Sequence, residues 1–219
     1  MRIAKAQLDK IPKHSQNSLR VIVMFTDGAP NCIVGNFGGA PVQPASLYSL
    51  AVRTTPTWIY SFDQPDNFLG TYGGITIPSN TDHTNTINLQ SDNNPRTRVL
   101  DTDSGGIINT KCNVNKAARN MLENVANAAR REDPNVNGSP INVFTIGFGL
   151  AMTTQEVSEC YGTDNKELGA YILRRLANVP GVDTYNSDQP TGLYVQADDA
   201  TELDSAFERV ANAILRLSK

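Results

Sequence analysis

Val21-Ile22-Val23-Met24-Phe25-Thr26-Asp27-Gly28 is the stretch that decides the fold. Five consecutive apolar residues run straight into Thr-Asp-Gly. A run of this kind, with no alternation, reads as a strand covered on both faces, as in a parallel sheet. Asp27 and Gly28 then fall where the strand opens into a loop. In open α/β sheets that edge is where ligands bind. From these eight residues alone, an ordinary Asp-Gly turn after a buried strand fits as well.

Upstream, Ile3, Ala4, Leu8 and Ile11 recur close to i, i+4, i+8, which predicts a helix that Pro12 ends. No capping residue precedes it, so the chain reads as starting inside an element. Downstream, regular patterning resumes at about residue 113. Val114, Ala117, Ala118, Met121, Leu122, Val125, Ala126 and Ala129 predict a helix with one apolar stripe that stops before Pro134. Residues 141–149 read as a second strand opening into a glycine-rich loop. Neither G-x-x-x-x-G-K-[ST] nor G-x-G-x-x-G is present there, which argues against a nucleotide site. A helix is expected from Asp164, with Glu167 completing a capping-box-like pair, as far as Pro180-Gly181. Leu193-Tyr194-Val195 reads as a third strand. Asp199 with Glu202 then caps a last helix whose stripe is Leu203, Ala206, Phe207, Val210, Ile214 and Leu217. Strands alternating with helices predict a doubly wound parallel α/β sheet.

Between the first strand and residue 110 the texture changes. Residues 31–110 contain no Lys or Glu and only nine charged residues, so this segment reads as a polar, partly β insertion rather than as more of the sheet. Its short β-like runs are Tyr72 to Ile77 and Thr86 to Leu89, and it holds Trp58-Ile59-Tyr60-Ser61-Phe62. Asp101-Thr102-Asp103-Ser104-Gly105-Gly106 starts like a calcium loop, but the twelfth position is Cys112 rather than Glu, so a polar turn is the better reading.

A formal net charge of −3 over 219 residues gives no reason to expect nucleic acid or an anionic membrane. No run approaches the roughly 20 apolar residues of a spanning helix, and the first residues lack the apolar core of a signal peptide. His14 and His83 do not complete a metal cluster with the three cysteines. Nor do they form a nucleophile–base arrangement with Ser or Cys, so a non-enzymatic role is expected. Cys32 and Cys112 flank the polar segment, where a disulfide would close a loop in an oxidising compartment and leave Cys160 over. Three unrelated thiols remain the alternative.

Val21 to Gly28, with Val143-Phe144-Thr145-Ile146-Gly147-Phe148-Gly149, resembles the later strands of a von Willebrand factor A domain. Ile172 to Asn178, Gln189 to Val195, Glu202-Leu203, Ala206-Phe207 and Ile214 to Ser218 resemble the C-terminal end of bacterial TadG-type Tad/Flp pilus-assembly proteins. The resemblance covers residues 1–30 and about 110–219. It implies one partial domain over 1–219, with 31–110 as an insertion and the N-terminal strands of a Rossmann-like sheet missing. It also implies that Asp27 matches the third-loop ligand of a divalent-cation site, usually Mg²⁺, flanked by Thr26 and Gly28.

The other ligand loops of that family, D-x-S-x-S and a second-loop Thr, would lie upstream and are absent. The metal site is therefore expected only if the missing N-terminal half is present. Without its neighbour, the first strand should become an edge that invites pairing with another chain. The expected function is a protein-binding module of the cell envelope, periplasmic or extracellular, in pilus assembly or adhesion. Its partner would be a pilus or envelope component, with Trp58, Tyr60, Phe62 and Tyr72 as candidate aromatic anchors; the same aromatics would serve as well as a small core for the insertion. The alternative is a truncated or degenerate half-domain with only a structural or interaction role, completed by a second chain.

Overall fold

A computed structural model gives the structure, describing residues 1–12, 19–29, 32–37, 43–48, 59–61, 98, 102–103, 106–107, 111–131, 140–155 and 158–218. The first half of the element order is α1 (Arg2–Leu8), β1 (Val21–Thr26), β2 (Cys32–Phe37), β3 (Gln43–Tyr48), β4 (Ile59–Ser61), β5 (Thr102–Asp103) and β6 (Gly106–Ile107). There follow α2 (Lys111–Arg130), β7 (Asn142–Phe148), α3 (Ser158–Tyr161), α4 (Gly169–Leu176), β8 (Tyr194–Ala197) and α5 (Ala200–Leu217). The chain forms two units, Met1–Ala29 with Val125–Lys219, and Pro30–Asn124.

The first unit is α/β, built on a three-stranded parallel sheet in the order β1-β7-β8. Val21 lies beside Asn142 and Thr26 beside Gly147, so the apolar run that opened the sequence reading pairs along the whole length of β7's apolar run. β7 is central and buried on both faces. Because side chains alternate along a strand, Phe144, Ile146 and Phe148 face one side. There they pack with Val195 and Ala197 of β8 and with Ala206 and Val210 of α5. Thr145 faces the other side, where its hydroxyl donates to the carbonyl of Leu173 in α4 at 3.0 Å. Helices thus cover both faces, as the alternating pattern predicts. On the first strand, Ile22 packs with Ala129, Ile141, Met1 and Leu8. Asp9, just beyond α1, accepts from the buried Arg20 at 2.9 Å and fixes the entry to β1.

Two helix boundaries show what caps decide. Asp199 accepts from the Thr201 amide at 2.8 Å, and Glu202 reaches back to the Asp198 amide at 2.9 Å, so the last helix starts where its capping pair predicts. The Asp164 pair does not start a long helix. Asp164 caps a 3₁₀ turn at Asn165–Glu167, Leu168 is extended, and α4 begins only at Gly169. Glu167 is buried beside Arg175, 4.0 Å away, instead of reaching back to cap. Arg175 also donates to Asp183 at 3.0 Å and lies over the Tyr171 ring.

α4 ends on Asn178, which takes the left-handed conformation (φ 52°) that glycine usually supplies. The Val179 amide bonds to the Arg174 carbonyl and the Asn178 amide to that of Arg175, both at 3.0 Å, the hydrogen-bond pair of a Schellman motif. Asn178's buried side chain accepts from the Asn186 amide at 2.9 Å and donates to the Asn186 carbonyl at 2.8 Å. One residue therefore ends the helix and folds the loop that leads to β8.

In the second unit, β2 and β3 form an antiparallel pair, with β4 parallel to β3. The calcium-like run forms the short antiparallel ladder β5–β6, Thr102 opposite Ile107 and Asp103 opposite Gly106. The β-like runs expected at Tyr72 to Ile77 and Thr86 to Leu89 lie outside the described residues. α2 departs from the single-stripe expectation. Ala118 is buried, but so are Asn115, Arg119, Asn120, Glu123 and Asn124. Buried polar groups require partners: Arg98 donates to Glu123 at 2.6 Å and to Asn120 at 3.1 Å, and Asn120 donates to the Arg98 carbonyl at 2.7 Å.

Candidate functional site

Two features of the first unit stand out: the C-terminal edge of the parallel sheet, and the open side of β1. At the first, β1 turns at Thr26-Asp27-Gly28. The Thr26 hydroxyl donates to the Gly28 carbonyl at 3.1 Å and accepts from the Gly28 amide at 3.3 Å, so it closes its own turn. Asp27 is exposed. Beyond β7, the Gly149 carbonyl accepts from Gln196 at 3.0 Å, and Gln196 also donates to Asp198 at 3.0 Å. Tyr194 donates its hydroxyl to Gln196. Burial pushes the Tyr194 phenol up to about 12, the Asp198 charge adding to the rise and Arg174 opposing it.

These residues do not by themselves fit a divalent cation. Such a site needs several oxygen ligands around one point, and the Thr26 hydroxyl is engaged within its own turn. Among the described residues, no three His, Cys, Asp or Glu side chains gather in a group able to hold a metal ion.

The second feature is the edge. Among the described residues, β1 pairs with β7 on one side and with no strand on the other. The unbroken apolar run reads as a strand covered on both faces; among the described residues it lies at the edge of its sheet. Its exposed residues are apolar: Val23 is 43% and Phe25 47% accessible. Phe25 lies 6.0 Å from Phe148 and 5.9 Å from Phe207, ring centre to ring centre. Phe207, read from the sequence as part of α5's buried stripe, is 45% accessible. It sits at the flank of that stripe, and the helix covers β7 and β8 more fully than β1. Exposed aromatic and branched residues clustered at an unpaired strand mark an interaction surface.

The sequence-predicted anchors all belong to the segment 31–110. Tyr60 lies in β4, and Trp58, Phe62 and Tyr72 lie outside the described residues, as do His14 and His83. Cys112 and Cys160 are both disulfide-bonded. Cys160 is therefore not the leftover thiol of the sequence reading. A Cys32–Cys112 bridge would leave it without a partner in a three-cysteine chain. Among the described residues, no helix is long and apolar enough to cross a membrane.

Compared with family models, curated proteins and solved structures, the chain matches none of them.

Proposed function

We propose that this chain is a non-enzymatic protein-binding module of von Willebrand factor A type, acting in the bacterial cell envelope in pilus assembly or adhesion. The observation that carries the binding role is the open side of β1, with Val23 and Phe25 exposed at an edge that no other strand pairs among the described residues. An edge of this kind binds by accepting a further strand, main-chain hydrogen bonds giving affinity and side-chain pockets giving choice. The strand order β1-β7-β8 and the resemblance of Val21 to Gly28 support the architecture. The bonded Cys112 and Cys160 support an oxidising compartment. On this reading Asp27 binds Mg²⁺ only together with ligand loops from elsewhere. A second reading follows from the same edge: a half-domain whose sheet another chain completes.

Site-specific photo-crosslinking in the source cells tests the proposal. Crosslinkers at Val23 and Phe25 should capture a discrete polypeptide, and one at Tyr185, exposed on the loop after α4, should not. Absence of any adduct at both strand positions overturns it.

A further inference from the structure

The charges around the open edge say what kind of strand it takes, an inference that rests on the binding role proposed above. The apolar part of the surface is Val23, Phe25 and Phe207, each between 43% and 47% accessible. Its rim is acidic. Asp27 follows Phe25 by two residues and is exposed. On α5, Asp204 lies three residues before Phe207 and Glu208 four after Asp204, and both are exposed; residues three or four apart on a helix are neighbours. Arg209, the next cation along α5, lies two positions beyond Phe207, on the far side of the helix. Just before the strand, Arg20 is buried and engaged with Asp9 at 2.9 Å.

We propose that the β1 edge accepts an extended apolar segment of another polypeptide flanked by Lys or Arg. Apolar side chains of the incoming strand cover Val23, Phe25 and Phe207, while its flanking cations meet Asp27, Asp204 and Glu208. Charge of this kind steers encounter and fixes register. A second copy of this chain is the poorer occupant, because it brings the same acidic rim and its Arg20 is already held by Asp9.

The test is fluorescence anisotropy with the full chain and labelled synthetic peptides. One carries an alternating Val/Thr core with a pair of Lys at each end, and a second carries Glu in place of Lys. A third has Pro in the core. The Lys-flanked peptide should bind about tenfold tighter than the Glu-flanked one, with the gap narrowing as salt is raised. The Pro-containing peptide should not bind. Asp27→Lys combined with Asp204→Lys should invert the preference. Phe25→Ser should abolish binding of both peptides. Phe207→Ser, on the neighbouring helix, should do the same and serves if the strand variant fails to fold. Equal affinity for the two flanks overturns this inference and leaves the edge-binding role standing. Self-association that Phe25→Ser removes, with no peptide bound, also overturns it, by making a second copy the occupant. A monomer that binds no peptide overturns both.

Discussion

Gly192 has a position that no other residue can occupy without rearrangement. A β-carbon there would lie 1.8 Å from the Val143 carbonyl oxygen and 3.1 Å from that of Ala177. The amide meanwhile donates to Ala177 at 2.7 Å. Gly192→Ala should cost about 3 kcal/mol or more, measured by urea unfolding; a change within experimental error would show that the strand can shift to make room. Tyr194 gives a prediction in pH. Its phenol keeps its proton in the fold to about 12, against 10.0 for the unperturbed group. A raised pKa means the folded state holds the proton longer than the unfolded one. This contribution is fully present below about pH 10 and is lost as pH climbs towards about 12. Thermal melts of Tyr194→Phe should lack that part of the alkaline decline, and parallel curves for the two proteins would rule the idea out. At this scale the caps were legible. Asp199 and Glu202 act as their spacing says, because a cap is a local event. Gly192 was not legible, because its constraint comes from Val143 and Ala177, both distant in sequence.

Among the elements, the two longer strands of the parallel sheet and the last helix could be read from periodicity to within a residue or two. Their apolar runs and stripes are long. The start of α4 could not, since Asp164 caps a 3₁₀ turn and Leu168 breaks the run before Gly169. α2 shows a different limit. Its apolar repeat announced a helix correctly, yet said nothing of the buried polar side, whose partner Arg98 comes from the stretch read as a polar, partly β insertion. With both side chains almost fully buried, breaking the Arg98–Glu123 pair should be costly. Arg98→Met or Glu123→Leu alone should each destabilise by about 3–5 kcal/mol, while the two together should recover much of that loss. A double-mutant cycle by chemical denaturation reads the coupling. Additive effects would mean that the two charges do not depend on one another.

For the whole molecule, the α/β class was legible from the alternation of elements. The open side of β1 among the described residues was not legible in the strand itself, whose unbroken apolar run reads as covered on both faces. Nor was the aromatic cluster at that edge, since Phe207 reads as part of α5's buried stripe. Which cysteines are bonded was not legible, because spacing along the chain does not decide pairing; both Cys112 and Cys160 are bonded. Cys112→Ser and Cys160→Ser should each lower stability by about 2–4 kcal/mol, matching the loss on reduction of the unaltered protein. Cys32→Ser should leave the response to reductant intact. Identical losses from Cys32→Ser and Cys112→Ser would reassign the bridge.

The register of β1 against β7 also sets an order of assembly. β7, α4, β8 and α5 follow one another closely, so their contacts close short loops. β1 meets its partner only after the chain has travelled from Thr26 to Asn142. The entropy of so long a closure favours forming the local half first. The apolar strand that decides the fold on paper is then the last to join it in time and the first to leave. Native-state hydrogen exchange should find the amides of β1 opening at lower free energy than those of β7 and β8. A partner strand laid along the open edge would close that gap, so binding would be felt as slower unfolding of the whole sheet.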